Sequence, residues 1–144
     1  MVYTPLVYKA MHIAYKAHHG QLDQSGAPYI FHPIHLAEQM EDEASTVAAL
    51  LHDVVEDTDY TLEDLKAMGF PDSVTGALAL MTHDDSVPYL DYVAKLKDNP
   101  IARAVKLADL RHNSDLSRLD AVDDKALERV EKYKKAIELL TQED

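Results

Sequence analysis

The stretch Ala48-Ala49-Leu50-Leu51-His52-Asp53-Val54-Val55-Glu56-Asp57-Thr58 limits the fold more than any other part of the chain. Leu50, Leu51, Val54 and Val55 make most of the circumference of a helix over about Ser45 to Val55 apolar. Such a helix has to be covered by other elements and sits centrally. Ionisable groups rarely stay buried unless they are paired or bind a metal. Yet His52 and Asp53 interrupt this apolar surface, and Glu56 and Asp57 follow within a turn. Two readings are open. One is a solvated acidic helix end with an incidental histidine. The other is a metal site with His52 and Asp53 as ligands. Acid at a helix C-terminus opposes the helix dipole, and that unfavourable placement beside a His-Asp pair favours the site.

The covering elements are helices. No alternating apolar/polar run is flanked by hairpin turn residues. Thr4-Pro5 reads as N-cap and first position of a helix through about His18, with Gly20 just past its end. Gln21 to Phe31 is a loop containing Ser25-Gly26-Ala27-Pro28, and Pro33 opens a helix over about His32 to Met40. Thr61-Leu62-Glu63-Asp64 resembles a capping box with Asp in place of Glu, and Gly69 ends its helix. Further helices run from Pro71-Asp72 to about Met81, from Pro88 through Lys97, and from Pro100 through about Leu116. Asp123-Asp124 favours the start of a last helix ending near Leu140. Leu127, Val130, Ile137 and Leu140 lie on one side of it and are expected to pack on the domain itself rather than on another chain. The expectation is an all-α fold: one compact domain over residues 1–144 with about seven to eight helices.

A chain of 144 residues buries roughly 68–70% of its unfolded surface and needs no staples. The absence of cysteine removes disulfides and thiolate metal sites and fits a reducing compartment. No apolar run reaches the roughly 18 residues of a membrane span, and Met1-Val2-Tyr3-Thr4-Pro5 is not a signal peptide, so a cytoplasmic home is expected. The net charge of −12 repels nucleic acid and anionic lipid, so neither is an expected partner. The charge is uneven: from Ala17 to Leu65 there is no Lys or Arg but 11 Asp or Glu. An anionic substrate handled by this half needs a divalent metal, or cations from Lys95, Lys97, Arg103, Lys106, Arg111 and Arg118 later in the chain.

Three segments carry candidate ligands: His32, the pair His52-Asp53, and Asp109. Imidazole and carboxylate suit manganese, iron, zinc and similar divalent ions, with carboxylates tilting the choice toward harder metals. The segments are 20 and 56 residues apart, so their convergence is an expectation about the fold. Glu56 lies four positions after His52 and Asp57 four after Asp53, offsets that share a helix face. Carboxylates there can orient water and move protons. Asn113, four positions after Asp109, faces the same site, and its amide can bind a sugar or phosphate oxygen. Lys106, three positions before Asp109, is either a phosphate-binding cation or a solvated surface lysine, and Arg111 points elsewhere. The other histidines rank below these; His35, three positions after His32, has only a lesser claim as a fourth ligand or a support. His83 is expected to be exposed in a loop, and His112 to satisfy a buried backbone carbonyl.

Four motifs together carry a resemblance. They are Ala17-His18-His19-Gly20-Gln21, Gly26-Ala27-Pro28-Tyr29-Ile30-Phe31-His32-Pro33, the stretch Leu50 to Thr58, and Val105-Lys106-Leu107-Ala108-Asp109 with His112-Asn113. The chain resembles the HD-domain metal-dependent phosphohydrolases, and within them the Rel/SpoT-type (p)ppGpp hydrolase domain, including its small stand-alone forms. The resemblance implies Mn²⁺ bound by His32, His52, Asp53 and Asp109, water activated or positioned by Glu56 and Asp57, and a nucleotide held by Ser25 and Asn113. The implied reaction is hydrolysis of the 3′-pyrophosphate of ppGpp or pppGpp, without room for a synthetase domain. The long enzymes carry an Arg-Lys pair before Ser-Gly where this chain has Asp23-Gln24, and often Thr where it has Leu116. The metal chemistry therefore carries over more fully than the guanine recognition. Two further readings stand beside this one. The same machinery can act on another nucleotide or an NADPH-like phosphoester, or the fold can be a non-catalytic nucleotide-binding module.

Overall fold

The computed structural model describes residues 1–119 and 121–142. Its centre is α3 (Glu43–Asp57), in which every residue from Ser45 to His52 is buried, as is Val54. The Asp42 carboxylate caps its start by accepting the Ser45 N–H. Thr58 N–H still bonds the Val54 carbonyl at 3.1 Å, so the helix continues past the apolar run. Glu56 and Asp57 therefore belong to its last turn, where their side chains stay in helical register with His52 and Asp53.

Around α3 pack α1 (Pro5–Ala17), α2 (Phe31–Glu38), α5 (Asp72–Met81) and α7 (Pro100–Asn113). The short α4 (Leu62–Ala67) lies on α5, and its start is the expected capping box of Thr61 and Asp64. Helix α8 (Asp124–Thr141) covers α7 and α6 (Tyr89–Leu96). The fold is all-α, with eight α-helices among the described residues. The sole strand-like pairing among them is an isolated bridge between Leu22 and Pro28.

Two expectations are corrected. Helix α7 stops at Asn113 rather than near Leu116, because Asp115 accepts the Ser117 N–H and opens a separate 3-10 turn over Leu116–Arg118. On α8, Val130 and Leu140 face inward as expected, but Leu127 is 48% exposed and Ala126 and Ala136 take the buried positions. The buried face of the last helix is thus two alanines together with Val130 and Leu140.

Because α3 is enclosed, its apolar side chains hold the surrounding helices in place. Leu51 is completely buried. We expect Leu51→Ala to cost about 3 kcal/mol through lost burial and a residual cavity. Urea unfolding would show this as a lower midpoint with an unchanged slope.

Candidate metal centre

Three helices meet at one point. The first turn of α2 supplies His32, the later turns of α3 supply His52 and Asp53, and α7 supplies Asp109. His32 Nε2 lies 2.9 Å from Asp109 Oδ1. His52 Nε2 lies 3.7 Å from that same oxygen and 2.9 Å from Asp53 Oδ2. One nitrogen from each of His32 and His52 and one oxygen from Asp109 fall within 4.8 Å of one another, and all three residues are buried. Asp53 stands beside them, its Oδ2 3.9 Å from His32 Nε2 and accepting a hydrogen bond from the Tyr29 hydroxyl.

The fit to a cation can be tested on His52. Its Nδ1 lies 2.7 Å from the Ala49 carbonyl, which fixes a proton on that nitrogen. Its Nε2 is buried and has no hydrogen-bond partner, although two carboxylates stand close by. Burial disfavours a charged imidazole, yet the neighbouring Asp53 and Asp109 carboxylates hold the His52 pKa well above its ordinary value. Burial likewise works to raise the Asp109 carboxyl, but interactions with His32 and His52 and the Lys106 charge hold it well below the usual range. The cluster demands positive charge at His52 Nε2, and either a proton or a metal ion can meet that demand. Two imidazoles and two carboxylates suit borderline and harder divalent cations.

The other expected site residues gather on the same centre. Asn113 Nδ2 donates to Asp109 Oδ1 at 3.1 Å, and Lys106 Nζ donates to Asp109 Oδ2 at 3.2 Å. Lys106 is not a solvated surface lysine: its side chain is 14% exposed and its ammonium lies 5.5 Å from the Tyr92 ring centroid. Against the pull of burial, the Asp109 charge keeps it protonated. Glu56 Oε1 accepts the His83 backbone N–H at 3.0 Å. Burial raises the Glu56 carboxyl; the His83 bond opposes this and the Asp53 charge adds to it. Asp57 is raised by burial and then by Asp53.

Ser25 sits in the loop between α1 and α2, where its hydroxyl donates to Asp23 Oδ1 at 2.6 Å. The same oxygen accepts the N–H groups of Ser25 and Ala27, so Asp23 folds its own turn, with Gly26 supplying the positive φ of 87°. Two arginines reach this acidic loop from the far end of the chain. Arg118 lies 3.7 Å from Asp23, and Arg129 donates to Gln24 at 3.1 Å. Between them opens a cleft of about 290 Å³, bordered by Ser25, Tyr29, His32, Asn113, Arg129 and Tyr133 among others. Glu56 and Asp57 stand at the end of α3, outside that lining.

Some expectations about histidines change. His83 is half-buried, its ring held 2.7 Å from the Val87 carbonyl. His112 does not bond a backbone carbonyl through its ring; its Nδ1 meets His32 Nδ1 at 2.7 Å. His35 stacks on His112, with centroids 4.1 Å apart, and is not in the cluster. Tyr29, His83, Arg129 and Tyr133 were missed from sequence. Only Tyr29, in the motif that leads into His32, carried a local signal.

The sequence model described as HD domain matches residues 10–112. The chain belongs to the HD domain family. Among curated proteins, this HD-domain chain is 38% identical to a GTP pyrophosphokinase of Streptomyces coelicolor, over 93% of the chain and 16% of that protein. It is 35% identical to a guanosine-3′,5′-bis(diphosphate) 3′-pyrophosphohydrolase of Borreliella burgdorferi, over 74% of the chain and 18% of that protein. The chain thus spans about a sixth of the length of these relatives. Among solved structures it is similar to a metazoan ortholog of SpoT that hydrolyzes ppGpp and plays a role in starvation responses. That match has a TM-score of 0.77 and 26% identity, and covers 98% of this chain and 88% of the other.

A ligand that binds only the folded state stabilises it by mass action. With Mn²⁺ at 100 times its dissociation constant, we expect about 2.7 kcal/mol of added stability in wild type. Asp109→Ala should lose that gain, and thermal melts with Mn²⁺ and with a chelator measure both.

Proposed function

We propose that this chain is a metal-dependent hydrolase that removes the 3′-pyrophosphate of ppGpp or pppGpp, giving GDP or GTP and pyrophosphate. His32, His52, Asp53 and Asp109 are its metal ligands, Mn²⁺ the metal, and Glu56 and Asp57 the working carboxylates. Ser25, Lys106 and Asn113 serve the substrate. The observation that carries the reading is the buried His32/His52/Asp109 cluster, which reaches a cleft of about 290 Å³ through His32, with Asn113 beside it. The hydrolase names of the relatives support the substrate, and the chain's own match to the HD domain family supports the metal dependence. A small-molecule site in the cytosol is consistent with no described helix being long and apolar enough to cross a membrane.

A divalent cation bound there supplies Lewis acidity and lowers the pKa of water. The rest is done by side chains. Glu56 is aimed by the His83 N–H, and its raised pKa suits a group that takes a proton from attacking water and passes one on. Asp57 orients that water. The water oxygen joins the phosphorus next to the 3′-oxygen, the bond between them breaks, and the 3′-oxygen leaves with a proton. Lys106 offsets the Asp109 charge, which limits repulsion of the incoming pyrophosphate.

A second reading keeps the reaction class and changes the nucleotide to another phosphoester, NADPH-like compounds included. What favours it is the base-side loop, where Asp23 and Gln24 are engaged by Arg118 and Arg129. One assay separates the two. Purified protein with Mn²⁺ is offered ppGpp, pppGpp and a nucleotide panel while pyrophosphate and phosphate are followed separately. The proposal expects pyrophosphate and GDP from ppGpp; phosphate alone, or preference for a nucleotide lacking a 3′-pyrophosphate, favours the second reading. Glu56→Gln should keep Mn²⁺ binding and lose at least about 100-fold in turnover, the usual scale of a general base. Normal turnover in that variant contradicts its assigned role.

A further inference from the structure

We infer that His112 is a positioning residue for the metal centre: its Nδ1 accepts the proton of His32 Nδ1 and so holds His32 Nε2 as a lone-pair donor to the metal. The inference rests on the reading of His32 as a ligand. The two Nδ1 atoms are 2.7 Å apart, a separation that needs one proton between them. At the other end of the ring, His32 Nε2 lies 2.9 Å from Asp109 Oδ1. To bind a cation through Nε2, His32 must carry its proton on Nδ1, and that N–H needs an acceptor. His112 Nδ1 is the acceptor in place, which requires His112 to carry its own proton on Nε2.

The surroundings of His112 fit this role. Its ring stacks on His35 at 4.1 Å, which sets its plane. Arg118 Nη1 donates to the His112 carbonyl at 2.8 Å, tying that residue to the turn after α7. His112 follows Asp109 by three positions on α7. One helix therefore serves the His32 ring at both nitrogens, with His112 accepting from Nδ1 and Asp109 standing beside Nε2 as a fellow ligand. A neutral imidazole does this without adding a further negative charge to a site that already holds two carboxylates. Loss of such a partner commonly lowers metal affinity 10–100-fold.

The test is the Mn²⁺ dissociation constant of wild type, His112→Phe and His112→Asn by calorimetry, with circular dichroism to establish folding. His112→Phe should bind 10–100-fold more weakly, and His112→Asn, whose amide oxygen can accept near the ring-nitrogen position, should recover most of the loss. His112→Phe binding like wild type, or a folded His112→Asn as weak as His112→Phe, overturns the inference. A second readout needs no variant. Long-range ¹H–¹⁵N spectra of the Zn²⁺-loaded wild-type protein should show His112 protonated at Nε2, and protonation at Nδ1 overturns the inference. If wild type binds neither ion, the reading of His32 as a ligand falls first. If wild type binds and His112→Phe binds equally well, only the role of His112 falls.

Discussion

The Asp109 carboxylate is the constraint on which the rest depends. It is 8% exposed, in a place where an unpaired charge is strongly destabilising. Its two oxygens are met by His32, Asn113 and Lys106, with His52 close by. These partners come from α2, α3 and α7, so the helices cannot pack as they do without assembling the centre. The polar cluster and the apolar core are thus built by the same contacts. Even so, the pairing is incomplete. His52 Nε2 lacks a hydrogen bond while facing two carboxylates, and that unmet demand marks the place for a cation.

From that point the architecture separates two tasks. The end of α3 carries Glu56 and Asp57, and the loop before α6 aims Glu56 through a backbone amide. The cleft on the other flank is walled by the loop before α2 and by α8. Here the uneven charge of the chain is resolved in space. The stretch from Ala17 to Leu65, which has no Lys or Arg, contributes the loop that carries Asp23, and Arg118 and Arg129 from the C-terminal half come to meet it. A chain of net charge −12 thereby places Arg118 and Arg129 along one cleft.

Much of this was legible in the residues. The apolar circumference around His52-Asp53 marked α3 as central, and the prolines with Thr4, Thr61 and Asp123 marked where helices begin. The four-residue and three-residue offsets put Lys106 and Asn113 on Asp109 and keep Glu56 and Asp57 on the helix of His52 and Asp53, because helical periodicity is local. What could not be read was contact between elements. The Tyr29 hydroxyl on Asp53, the His83 amide on Glu56, His112 on His32 and Arg129 on Gln24 join positions 24, 27, 80 and 105 residues apart. No periodicity encodes such distances, and the His83 contact uses a backbone group that any residue type supplies. The end of α7 was misjudged because Asp115 caps a new turn instead of continuing the old one.

The central claim is that three helices converge to make one metal-binding centre. Anomalous diffraction at the manganese edge from crystals soaked in Mn²⁺ tests it most directly. The account predicts a strong peak enclosed by His32 Nε2, His52 Nε2 and the carboxylates of Asp53 and Asp109. A well-ordered structure with these side chains in place and no peak there, or with its principal peak elsewhere, contradicts it.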